Sequence, residues 1–314
     1  MRKRDSAAQQ PDLSFVHAAP VMISVRGALQ IFLVGCGGTG SWLAPSIARL
    51  ARILVDSGTR TRVAVTFVDP DVVEEANVPR QNFCAAEVGR FKAETLARRF
   101  SGAWGIPIAA ITERWDGKMI REQWSVTTIL VGCVDNPAAR LSLADTLANS
   151  SPYSGSQVWW LDCGNWRDNG QILLGNARTP RELREAFQIE TLCAALPSPV
   201  LVHPELLTAL PHVSRTAPPP GGSCAQMVLS HAQSLMINQR VASEAADYLA
   251  RLLLASGSRD GGLCRFATYF DLASGSARSL YTTPETIAAA LHTTPAKLFG
   301  RKSNRGNHLK EELE

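Results

Sequence analysis

The sequence predicts an α/β fold: a Rossmann-like, mostly parallel, doubly wound sheet with helices on both faces. A C-terminal crossover loop, a long helix and short strands follow it. Three observations carry this expectation. Short runs rich in Val, Ile and Leu alternate with longer segments whose apolar residues recur every three or four positions. That is the pattern of strands and helices taking turns along one chain. The first apolar run passes directly into Gly-Cys-Gly-Gly-Thr-Gly at 35–40, and a helical pattern begins at once after it.

Residues 29–34 (LQIFLV) read as a buried strand. The helix over 41–56 places Leu43, Ile47, Leu50 and Leu54 on one side, and Ser57-Gly58 closes it. Residues 62–68 (RVAVTFV) form a second strand that ends at Asp69. A polar loop leads to a helix over 86–100, then strands over 106–111 and 128–131. Residues 137–148 read as a helix with Asp135 or Asn136 as its cap. Strands over 158–162 and 171–174 complete the series.

The character changes near Asn176. Prolines crowd 180–222, ending in Ala217-Pro218-Pro219-Pro220-Gly221-Gly222, which reads as a long loop or crossover. A long helix is expected over 223–254, and a hairpin pairs 265–272 with 277–281 around Ser274-Gly275. The chain therefore divides into a flexible N-terminal extension (1–28), an α/β domain (29–178), a C-terminal part (179–283) and a polar tail (284–314).

Composition narrows the function classes. Hydrophobic residues make up 45% of the 314, enough for a substantial core. The net charge of +4 comes from 32 basic and 28 acidic residues, scattered along the chain. A nucleic-acid protein needs a basic face, and the densest clusters are Arg2-Lys3-Arg4 and the loose group Arg301, Lys302 and Arg305 near the ends. No apolar run follows the basic start, and no apolar stretch is long enough for a bilayer. With seven cysteines and no CxxC, the expectation is a cytosolic protein with free thiols, no structural zinc and no membrane partner. His203, His212 and His231 lack metal-ligand spacing.

Chemistry concentrates in three segments. Gly35, Gly37, Gly38 and Gly40 sit between a strand and a helix. Glycine permits positive φ and close approach of a ligand, and the amides and dipole of a helix start attract anions. A dinucleotide dehydrogenase wants an acidic residue about 20 residues further on. Asp69 ends the second strand but lies beyond that spacing. Its carboxylate can still accept from a ribose diol, and the alternative is a plain loop aspartate.

The second segment runs Asp69-Pro70-Asp71, then Glu74 to Phe83, then Val88-Gly89-Arg90-Phe91-Lys92. Phosphoryl chemistry spreads negative charge over oxygens, and fixed cations and amide donors stabilise it. Arg80 and Lys92 supply cations; Asn77 and Gln81 supply neutral donors. Any one of them read alone is a solvated surface residue, but the ordered set argues for a site. The third segment, Val131 to Arg140, places Asp135 at a strand's carboxyl end, where open α/β sheets bind ligands. A carboxylate there suits Mg²⁺ with nucleotide phosphates; the alternative is a helix cap.

These residues resemble the ThiF/MoeB and ubiquitin-activating-enzyme superfamily. The shared elements are the glycine loop, strand-end Asp69, the N-V-P-R-Q run at 77–81, Gly89-x-x-Lys92, and D-N-x-x-x-R from Asp135 to Arg140. Val78 stands where that family usually has leucine. The second half is similar to one branch, the ThiF-like protein of the plasmid-associated PRTRC cassette, through stretches such as 160–165, 170–175, 236–239 and 269–272.

The resemblance implies Mg-ATP binding and adenylation of the C-terminal carboxylate of a small ubiquitin-like protein, with pyrophosphate released. Asp69 would hold the ribose. Arg80 and Lys92 would bind phosphate, with Asn77 and Gln81 assisting. Asp71 and Asn136 would join the nucleotide site, and Asp135 would bind Mg²⁺. A homodimer is implied, with an arginine sometimes entering the partner's site; Arg26 is the candidate here. Cys193 and Cys224 are candidates to take the acyl group as a thioester, Cys224 helped by a helix start, against the plainer reading of buried thiols. Cys36, Cys133 and Cys163 read as packing residues. Two other readings compete: a catalytically weak nucleotide-binding scaffold, and an NAD(P)-dependent oxidoreductase. The second has no use for Arg80, Gln81 or Asp135.

Overall fold

The apolar runs pair into one eight-stranded sheet. In the computed structural model, which describes residues 14–24, 27–58, 62–120, 125–149, 156–189, 191–208 and 236–300, the strands are β1 (Ala28–Val34), β2 (Arg62–Val68), β3 (Ile108–Ile111), β4 (Val126–Gly132), β5 (Gln157–Trp166), β6 (Asn169–Gly175), β7 (Arg265–Asp271) and β8 (Ser276–Tyr281). Their order is β3-β2-β1-β4-β5-β6-β7-β8. The first five pair in parallel and the last three add on antiparallel, so the sheet is continuous past residue 178. Every residue of β4 is buried, as a central parallel strand covered on both faces must be.

The helices are α1 (Ser14–His17), α2 (Gly38–Asp56), α3 (Lys92–Trp104), α4 (Pro137–Asn149), α5 (Pro199–Val202), α6 (Ile237–Leu254), α7 (Pro284–Ala290) and α8 (Pro295–Phe299). Alternate residues of each strand serve opposite layers. Ile31, Leu33, Trp159 and Leu161 pack with Leu43, Ile47 and Leu54 of α2, Leu96 of α3, and Val241, Leu249 and Leu252 of α6. Phe32, Val34, Leu130 and Trp160 face the other way, against Trp115 and against Leu143 and Leu147 of α4.

Several expectations need correction. The segment 18–24 is no flexible extension: Ala19, Val21 and Ile23 are core residues, and Val21 bridges Cys193 in parallel. Their alternation is a strand-like period of two. The helix expected from residue 86 starts at Lys92, because 85–87 form a single tight turn and Gly89 reverses the chain at φ 84°. It ends on left-handed Gly105. The polar tail contains α7 and α8, each with a threonine cap, Thr283 or Thr294, and proline in its first turn. Of the long helix, 223–235 lies outside the described residues, as does 301–314. Among the described residues no helix is long and apolar enough to cross a membrane.

Candidate active site

Three adjacent strands end at one level. Val34 pairs with Val68 on one side and with Gly132 on the other. The loops that follow them are therefore neighbours. Gly35 takes φ 90°, which strains any other residue. Its N–H donates to Val68 O at 2.9 Å, and Cys133 N–H donates to Val34 O at 2.8 Å. Gly37 and Gly38 then open α2, and Gly40 packs directly on the turn: a Cβ at Gly40 would lie 1.9 Å from Gly35 O.

Asp69 is 6% exposed and braces this turn. One carboxylate oxygen accepts from Cys36 N–H at 2.5 Å and the other from Asp71 N–H at 2.8 Å. Burial raises its pKa, against the pull of those two N–H donors. A carboxylate has further lone pairs, so ribose hydroxyls can still donate to it.

The polar loop is organised by Asn77, which is buried. Its Oδ1 accepts from Glu74 N–H at 3.0 Å, and its carbonyl accepts from Arg80 and Gln81 N–H at 3.1 and 2.9 Å. Asn77 thus builds the turn that presents Arg80 and Gln81. Trp42 of α2 donates to Arg80 O at 3.3 Å. Gln81 is 7% exposed, and among the described residues its Oε1 has no hydrogen-bond partner. Asn82, which the sequence did not single out, ties this loop to α2. Pro45 lacks an N–H and leaves Ser41 O without its helical partner. Asn82 Nδ2 donates to that carbonyl at 3.1 Å, and Asn82 N–H donates to Ser41 Oγ at 2.9 Å.

Lys92, at the start of α3, is 7% exposed. Its Nζ pairs with Asp71 Oδ2 at 3.1 Å, while the Asp71 side chain is 66% exposed. The partner carboxylate therefore lies at the surface and can be replaced by an incoming anion. On the third loop, Asn136 caps α4, its Oδ1 accepting from Ala139 N–H at 2.9 Å. Asp135 is exposed and touched by Asn136 Nδ2 at 3.3 Å. The cap role belongs to Asn136, which leaves the Asp135 carboxylate available to a cation. Among the described residues no three His, Cys, Asp or Glu side chains gather as metal ligands.

The structure also supplies a role for Arg140. Its Nε donates to Asp162 Oδ1 at 3.1 Å, and Asp162 is fully buried in β5. The cysteines divide. Cys36 and Cys163 are buried as expected, their thiols raised by burial and, for Cys163, first by a hydrogen bond with Cys133. Cys193 is buried beneath the N-terminal segment, donates to Ala195 O at 3.3 Å, and is pushed by burial up to about 12. Thiolate is the nucleophile, so Cys193 does not suit acyl transfer. Iodoacetamide at pH 8 is expected to label exposed Cys84 long before Cys193; equal rates by peptide mass spectrometry would contradict its burial. Cys224 and Arg26 lie outside the described residues. His203 is occupied, with Nε2 2.6 Å from the Tyr269 hydroxyl and Nδ1 2.7 Å from Glu205.

Among solved structures the chain is similar to PaaA, at 12% identity and TM-score 0.49, covering 82% of this chain and 64% of PaaA. It is similar to E. coli MccB at 14% identity and TM-score 0.49, covering 90% of this chain and 67% of MccB. A structure of E. coli MccB with ATP matches at 14% identity and TM-score 0.44, covering 86% and 65%. The chain thus spans about two thirds of the length of these proteins. No curated protein sequence matches it. The segment that holds the glycine loop, the polar loop and the Asp135 loop matches the ThiF family over residues 23–173, so the chain carries a ThiF family domain.

Proposed function

We propose that this protein adenylates a carboxylate with Mg-ATP and releases pyrophosphate, and that the carboxylate is the C-terminus of a small ubiquitin-like protein. The observation that carries the reading is Lys92: a buried ammonium beside the strand ends, held by one ion pair to a surface carboxylate. A nucleotide phosphate can take the place of Asp71 there. The ThiF family domain and the Gln81 amide nitrogen, 3.9 Å from where a Gly37 Cβ would stand, support the same reading.

In this reading phosphates sit at the first turn of α2, where amides and dipole favour anions. Asp69 receives the ribose hydroxyls while bracing the loop. Arg80 and Lys92 neutralise the charge that grows on the phosphate oxygens, and Gln81 orients them. Asp135 would hold Mg²⁺, a cation that needs few carboxylate ligands and would supply further neutralisation of the phosphate charge. The substrate carboxylate oxygen attacks the α-phosphorus, its bond to the bridging oxygen breaks, and pyrophosphate leaves with the electron pair. A PRTRC-type setting and a homodimer belong to the same proposal.

The test is calorimetric titration with ATP and Mg²⁺ beside NAD⁺, followed by ATP–pyrophosphate exchange with the carboxylate substrate. Wild type is expected to bind ATP in preference to NAD⁺. Asp135→Ala is expected to reduce exchange on the order of a hundredfold, the scale of losing one charge-stabilising group. Preference for NAD⁺, or full exchange by Asp135→Ala, would overturn the proposal or the Mg²⁺ role respectively.

A further inference from the structure

Asn238, near the start of the described part of α6, has no place in the reading above. It is 1% exposed. Its Oδ1 accepts from Asn165 Nδ2 at 2.8 Å and lies 3.4 Å from the Thr39 hydroxyl. Asn165 Nδ2 also donates to Thr39 Oγ1 at 2.7 Å. Three side chains from β5, α2 and α6 thus form one polar cluster. Among the described residues Asn238 Nδ2 has no hydrogen-bond partner. A buried donor left unmade is costly, and native folds seldom keep one without a use.

The position of that amide suggests the use. It lies against Gly38, the first residue of α2: a Cβ there would be 2.6 Å from Asn238 Oδ1 and 3.0 Å from Nδ2. Gly38 is therefore glycine because Asn238 fills the space. The side chain reaches the first turn of a 19-residue helix, where unpaired backbone N–H groups and the dipole favour an anion. On the neighbouring glycine, Gly37, a Cβ would meet only Gln81 Nε2, at 3.9 Å. Asn165, by donating to Thr39 Oγ1, leaves the Thr39 proton for Asn238 or for an anion.

We propose that Asn238 is a further phosphate-positioning residue, its Nδ2 donating to a phosphate oxygen of the nucleotide at the first turn of α2. Asn165 fixes the orientation of its amide. This rests on the ATP reading above and adds to it a residue from α6, outside the segment 23–173 that matches the ThiF family. It also couples α6 to occupancy of the glycine loop, because the same amide touches both.

The test compares ATP with adenosine on the full chain. Asn238→Asp keeps an oxygen to accept from Asn165 but sets an anionic oxygen where the donor was. Its ATP affinity, measured by calorimetry with Mg²⁺, is expected to fall about tenfold or more, the scale of one charge-assisted hydrogen bond. Adenosine affinity is expected to be unchanged. Asn238→Ala carries no charge and is expected to show the same selective loss in smaller degree; it decides the matter if the aspartate variant does not fold. Equal loss of ATP and adenosine, or loss of neither, would overturn the assignment while wild-type ATP binding stands. Failure of the wild type to bind ATP would remove the underlying reading, and this one with it.

Discussion

Alanine at Gly40 is expected to cost the protein both stability and nucleotide binding, whereas alanine at Gly37 costs binding alone. The two positions lie in the same loop but meet different neighbours. The Gly40 Cβ would stand 1.9 Å from Gly35 O and 2.9 Å from Gly35 C, both backbone atoms. Gly35 has little room to yield: it is held at φ 90° and donates to Val68 O. The added methyl must push the turn away from α2. Overpacking of this kind costs about 1–3 kcal/mol. Displacing the loop by roughly an ångström is expected to weaken ATP binding on the order of a hundredfold, the usual penalty for misplacing a positioned group. At Gly37 the nearest atom is Gln81 Nε2 at 3.9 Å, an ordinary contact. Gly37→Ala is expected to keep stability within about 0.5 kcal/mol, while its methyl would stand where the proposed function places the phosphate. Urea denaturation and ATP titration on both variants separate the outcomes. A Gly40→Ala protein with wild-type stability would mean that α2 and the turn are looser than their packing indicates.

The contrast also marks where sequence reading succeeds. Strands buried on both faces advertise themselves as apolar runs, and β2 matches its expected bounds of 62–68. The glycine loop is legible because its constraints are local: a strand, a reversal and a helix within a dozen residues. Asp69 is legible as a strand-end carboxylate, but not its bracing of Cys36 N–H across 33 positions. The Thr39–Asn165–Asn238 cluster leaves no trace in sequence, since its hydrogen bonds span 73 to 199 positions and exist only once β5 and α6 flank the loop. Asp135 and Asn136 were indistinguishable as caps until hydrogen bonding chose Asn136. The segment 18–24 was missed because three small and medium apolar residues, spaced by two, look weak beside polar neighbours.

The D-N-x-x-x-R motif ends in a residue whose role depends on such a distant partner, and its loss is expected to be the most destabilising single change at the site. Arg140 lies four residues after Asn136, so one helical turn carries it from the cap to β5. There it meets Asp162, which is fully buried and whose second oxygen, Oδ2, has no hydrogen-bond partner among the described residues. Burial raises the Asp162 pKa, and the Arg140 guanidinium opposes that rise. Arg140→Met removes the opposition and keeps most of the side-chain volume. A buried carboxylate that loses its partner is expected to cost about 3–5 kcal/mol near neutral pH. The sign of the pH dependence follows from the raised pKa. The protonated form is favoured in the fold, so stability is fullest below the unfolded value, about 3.9, and is lost as pH rises through the folded value. In Arg140→Met the folded value moves further up. The deficit against wild type is therefore expected to be large at pH 8 and smaller at pH 5, measured by urea denaturation at both. Arg140→Met with Asp162→Asn removes the charge and is expected to recover part of the loss at pH 8. A deficit independent of pH, or no recovery in the double variant, would mean that Arg140 acts by packing alone. The same substitution loosens the start of α4, and with it the loop that presents Asp135. It is therefore expected to reduce pyrophosphate exchange even at pH 5, where the fold is nearest to intact.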